Sequence, residues 1–161
     1  MRADKQLVSG LTTEQRYAKQ LVELIAQNAN NPITVTGHSL GGYLAVVGSM
    51  GVDNVKGVFT YNAPGIDATI INSFSSREVA AMEKKTINMW HSADPIHLCN
   101  ESFTGGNSDY SGDRHIGRNV ELSGYDGIGD RLSQLFTINP FREHSINLLN
   151  DRMKNNMGGC L

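Results

Sequence analysis

The sequence is poor in the features that mark several broad protein classes. It has only two cysteines, Cys99 and Cys160, in 161 residues, and no cysteine–histidine cluster with the spacing of a zinc site. Cys160 stands beside the C-terminal end, where chains fray, so no disulfide framework is legible. No apolar run approaches the length of a membrane span. The first residues, Met1-Arg2-Ala3-Asp4-Lys5, lack the apolar stretch of a secretory leader. A processed or truncated chain would have lost one, which leaves location open. The formal net charge is -2, too little positive charge to gather phosphates, so neither nucleic acid nor an anionic membrane is an expected partner.

What is present is an ordinary globular composition, 39% apolar and 19% charged. The length fits a single domain, residues 1–161, able to bury a core without covalent staples. Thr12 followed three residues later by Gln15 forms a capping-box pattern. Tyr17, Leu21, Leu24 and Ile25 then recur at helical spacing, which predicts a helix over about 12–26 with those four on its apolar face. Asn28 to Pro32 closes it. Ile33-Thr34-Val35-Thr36 is short and β-branched throughout, and reads as a strand buried on both faces.

A helix is expected over about 43–50, a strand at Gly57 to Tyr61, and a helical stretch over about 68–84. Further strands are expected at Thr86 to Trp90 and around Asn119 to Leu122, the latter amid Gly- and Asn-rich loops running from Asn100 to Asp130. A last helix is expected from about His144 to Met153. Strands alternating with helices predict an α/β fold: a mostly parallel sheet with helices on both faces. Sites in such sheets form outside the carboxyl ends of the strands.

One segment carries chemistry. Gly37-His38-Ser39-Leu40-Gly41-Gly42 joins a predicted strand to a predicted helix, the context a G-x-S-x-G nucleophile elbow requires. The sharp turn lifts the Ser39 hydroxyl into the open. Gly37 and Gly41 are expected where any side chain would collide. Ser39 also precedes a helix N-terminus, where free N–H groups favour negative charge, so the Leu40 N–H is a candidate oxyanion donor. His38, adjacent on the same turn, should point elsewhere.

Ile33-Thr34-Val35-Thr36-Gly37-His38-Ser39-Leu40-Gly41-Gly42 resembles the nucleophile region of the class 3 lipases, the family of fungal triacylglycerol lipases. Phe59-Thr60-Tyr61-Asn62-Ala63-Pro64-Gly65 is similar to that family's next strand and loop. The resemblance implies an α/β-hydrolase fold and cleavage of carboxylic esters, of lipids or smaller substrates. A serine needs a base, and the base needs an orienting acid, in the chain order Ser, Asp or Glu, His. Asp94 follows a predicted strand in Ser92-Ala93-Asp94-Pro95 and is similar to the family's acid; Asp67, Asp109 and Asp113 follow no clear buried strand. Among the five histidines, His91 and His97 flank that acid, while His115 and His144 both come after it. The resemblance favours His144, at the start of the last helix. The expected site is therefore Ser39, Asp94 and His144 with the Leu40 N–H, working without metal or cofactor.

The resemblance also has a gap. The family carries strands, a lid and a second oxyanion donor upstream of the helix before the elbow. This chain starts only about a dozen residues before that helix, so the expectation is an N-terminally truncated or minimal domain. Its exposed sheet edge would be open to homo-oligomerisation. Three readings stay open: a small esterase with a local second donor, a fragment completed by a missing part, and a binding module that keeps the elbow as architecture. Among enzymes, thioesterase, phospholipase and amidase use the same triad.

Overall fold

The first element begins where the capping box sets it. In the computed structural model, which describes residues 11–91 and 114–122, the Thr12 N–H donates to Gln15 Oε1 at 2.7 Å and the Gln15 N–H donates to Thr12 Oγ1 at 3.4 Å. Helix α1 runs from there over Thr13–Asn28. Its buried residues are Gln15, Val22 and Ala26, whereas Tyr17, Leu21, Leu24 and Ile25 are between 49% and 67% exposed. The apolar face read from the sequence is thus the outward one. Close packing explains the choice. A Cβ added at Gly48 would stand 3.0 Å from the Ala18 carbonyl oxygen and 3.2 Å from Val22 Cγ2. Such an approach demands the slimmer stripe of Ala18, Val22 and Ala26, since bulky leucines would hold the helices apart.

Four strands follow among the described residues: β1 (Ile33–His38), β2 (Val55–Tyr61), β3 (Thr86–Trp90) and β4 (Arg118–Glu121). They lie side by side in the order β1-β2-β3-β4, every neighbouring pair parallel. This is the parallel α/β sheet expected. Between them come α2 (Leu40–Ser49), α3 (Ala68–Asn72) and α4 (Ser76–Lys85). Right-handed crossovers between strands in sequential order put their connecting helices on one face. Val46, Val47 and Met50 accordingly share one core cluster with Val79 and Met82, over Val55 and Val58. Of the helices expected on both faces, the described residues show this layer. Ile33 and Val35 pack against it, but Thr34 and Thr36 are exposed, so β1 is not buried on both faces. It is the outer strand of the described sheet, covered from one side.

The single helical stretch expected over 68–84 is two helices. The Ser73 hydroxyl donates to the Ile70 carbonyl at 2.6 Å, which closes α3. Ser75 then opens α4 with a capping box: the Ser75 N–H donates to Glu78 Oε2 at 2.9 Å and the Glu78 N–H donates back to Ser75 Oγ at 3.3 Å. Serine competes for backbone groups and so favours caps over helix interiors. Ser75→Ala is expected to lower stability by about 1 kcal/mol, read as an earlier urea midpoint with an unchanged slope.

Candidate active site

β1 ends in a turn that most residues avoid. Ser39 has φ 55 and ψ -129, a left-handed conformation whose strain is on the order of 1–3 kcal/mol for a residue with a side chain. Backbone bonds hold it on both sides. The Ser39 N–H donates to the Tyr61 carbonyl at 2.9 Å, extending the β1–β2 ladder, and its own carbonyl accepts from the N–H groups of Gly42 at 2.9 Å and Tyr43 at 3.2 Å, which start α2. Ser39 is the N-cap residue of α2, yet its hydroxyl makes no capping bond. The serine is half-buried, with its backbone rather than its side chain engaged in starting the helix. Leu40 is the first residue of α2, where helix geometry offers its N–H no intrahelical acceptor. Its side chain is 61% exposed, an apolar surface directly beside Ser39.

The glycines around the turn divide differently from expectation. A Cβ at Gly37 would collide with the Gly41 carbonyl and the Gly42 nitrogen. Around Gly41 nothing lies within 4 Å, so this glycine is not required by space. The second tight position is Gly42, where a Cβ would stand 2.7 Å from Ala63 Cβ, 2.9 Å from the Gly37 carbonyl oxygen and 3.2 Å from Thr60 Cβ. The turn brings the start of α2 down onto the ends of β1 and β2. The third glycine of the run, not the second, permits that approach.

Because the strands are parallel, the chain leaves each of them on the edge that holds Ser39. Asn62 follows β2 with φ 46 and is fully buried, its N–H donating to the Met89 carbonyl at 2.9 Å. His91 follows β3 and is 1% exposed. Ser39 and Leu40 thus stand together at this edge, where β2 and β3 also end. Asp94 and His144 lie outside the described residues, as do His97, Asp109, Asp113 and the helix expected at residues 144–153. Asp67 is engaged elsewhere. It caps α3, accepting from the hydroxyl and the N–H of Thr69, and those bonds hold its carboxyl below the usual aspartate range. His38 closes β1 at the register position of Tyr61, and His115 is half-buried just before β4.

Sequence reasoning missed Asn62, whose only signal is an asparagine before Ala63-Pro64-Gly65, asparagine being a residue that tolerates positive φ. It also missed a polar row across the sheet, buried at Thr60 and Asn88 and exposed at Asn119. Thr60, Asn88 and Asn119 are neighbours in register across β2, β3 and β4. Such a row becomes visible only once the pairing is known.

The architecture agrees with what comparison finds. The family model for lipase (class 3) matches residues 5–98, more than half of the chain, spanning β1, the Ser39 turn, α2, β2 and β3. Neither a curated protein nor a solved structure matches the chain. No helix among the described residues is long and apolar enough to cross a membrane. With a strained serine between the first strand of a parallel sheet and the helix laid on it, and with that match, the chain belongs to the class 3 lipase family.

Proposed function

We propose that this protein is a serine hydrolase that cleaves carboxylic esters of apolar acids, with Ser39 as nucleophile, His144 as general base and Asp94 as the acid that orients it. The observation that carries the proposal is the Ser39 turn: a strained serine with its hydroxyl uncommitted to helix capping, beside the first N–H groups of α2. Strain of this kind persists only where the surroundings over-determine it, and the same turn lies within the stretch matched by the lipase family. The exposed Leu40 side chain suits an apolar acyl chain next to the reacting carbonyl.

The reaction runs in two halves. His144 takes the proton of Ser39 Oγ as that oxygen attacks the ester carbonyl carbon, and the carbonyl oxygen becomes an oxyanion that the Leu40 N–H stabilises. The carbonyl re-forms, the alcohol oxygen leaves with the proton from His144, and the acyl group stays on Ser39. Water, deprotonated by His144, attacks the acyl carbon and releases the acid and free Ser39. Asp94 keeps the imidazole in the right tautomer and stabilises its positive form.

Hydrolysis of a short and a long p-nitrophenyl ester tests both substrate and base. His144→Ala is expected to lower turnover by about 10⁴-fold or more, while His115→Ala keeps most of it. The reverse pattern would move the base to His115. A higher rate on the long ester fits a lipase, and a higher rate on the short ester fits an esterase.

A further inference from the structure

The buried face of a parallel sheet is normally apolar, and Val35 and Val58 follow that rule. One row across the sheet breaks it. Gly37 pairs with Thr60, Thr60 with Asn88, and Asn88 with Asn119, so a single line crosses all four strands. Thr60 is 1% exposed and Asn88 4%, and the row reaches the surface at Asn119, which is exposed. The Thr60 hydroxyl donates to Asn88 Oδ1 at 2.8 Å. Asn88 Nδ2 donates to the Ile116 carbonyl at 2.9 Å and to Asn119 Oδ1 at 3.0 Å. The carbonyl of Ile116 can only accept, which fixes the amide with its nitrogen toward β4 and its oxygen toward Thr60. Both amide hydrogens are used and the oxygen is satisfied.

The row ends at the elbow. Its first member, Gly37, is the residue against which the Gly41 carbonyl packs, and its second, Thr60, lies under Gly42, the residue whose N–H donates to the Ser39 carbonyl. A satisfied polar network tolerates only one register, because a slip leaves buried donors and acceptors unpaired. Apolar side chains in the same places would fill the space without that restriction. We propose that Asn88, through Thr60, is a positioning residue for the Ser39 elbow: it locks the register of β2, β3 and β4, and so the height at which Ser39 is held. The catalytic consequence rests on the hydrolase reading above; the structural one does not.

The test pairs an activity measurement with one that needs no activity. Asn88→Leu fills the site but removes all three bonds. Thr60→Val keeps the shape of threonine and removes the hydroxyl, and Thr60→Ser restores it. Hydrogen exchange at the Ser39, Gly42 and Tyr43 amides is expected to quicken about tenfold in Asn88→Leu and Thr60→Val, with the Val22 amide of α1 unchanged. On an ester substrate the same two variants lower kcat about tenfold at constant KM, and Thr60→Ser recovers most of that loss. Ser75→Ala, whose lost bonds to Glu78 are none of the row's, supplies a destabilised control whose kcat stays at the wild-type value. Elbow amides exchanging at wild-type rates, or all amides including Val22 quickening alike, would overturn the proposal. Wild-type protein without ester turnover would sink the hydrolase reading, and the exchange comparison would still decide the positioning role.

Discussion

Ser39→Ala will remove ester turnover by a factor on the order of 10⁴–10⁶ while leaving the fold intact. Size and selectivity follow from one fact: the structure uses the backbone of Ser39. Its N–H and carbonyl tie β1 to β2 and start α2, whereas its hydroxyl makes no capping bond. Alanine keeps both backbone groups and takes on the same left-handed strain, so the far-ultraviolet circular dichroism and urea midpoint should barely move. What disappears is the oxygen proposed to carry the acyl group, and neither the Leu40 N–H nor a histidine base can replace a missing nucleophile. Residual turnover within tenfold of wild type would mean that another group attacks, and the reading of the turn as a nucleophile elbow would fall. A variant inactive and unfolded together would contradict the structural half of the prediction.

The elements were largely legible because they are local. Strand β3 falls at the residues expected, Thr86–Trp90, where polar and apolar residues alternate directly after a helix. The cap at Thr12 needed only four residues of sequence. Faces were harder, because a face is chosen by what lies opposite. Helix α1 carries two apolar stripes, and hydrophobicity alone favours Tyr17, Leu21, Leu24 and Ile25. Gly48 on α2 selects the smaller one, which needs long-range knowledge. The same limit hid the row from Thr60 to Asn119: its members lie 28 and 31 positions apart, and only strand register makes them neighbours. The strained turn at Ser39 was readable because the residues that build it are six in a row, Gly37 to Gly42. The proposed acid and base are separated from it in sequence, so their assignment rests on chain order and family resemblance.

The glycines of the turn give the second large expected effect, and they discriminate between motif and mechanics. By the motif, Gly37 and Gly41 are equivalent. By the packing they are opposites. Gly37→Ala drives a methyl group into the Gly41 carbonyl, a backbone atom held by the first turn of α2. Relief requires lifting that helix from the sheet, so a loss of about 3 kcal/mol or more is expected. Gly41→Ala meets open space in the first turn of a helix, where alanine is the better helix former by about 1 kcal/mol at interior positions. Its urea midpoint should stay level or rise. Gly42→Ala belongs with Gly37, because the added methyl would press on Ala63 Cβ and the Gly37 carbonyl. Ala63 is a short side chain at the end of β2 and cannot rotate out of the way. Urea denaturation of the three variants gives the order directly. A Gly41→Ala variant as unstable as Gly37→Ala would show that the turn is packed otherwise, and the height of Ser39 above the sheet would have to be derived anew.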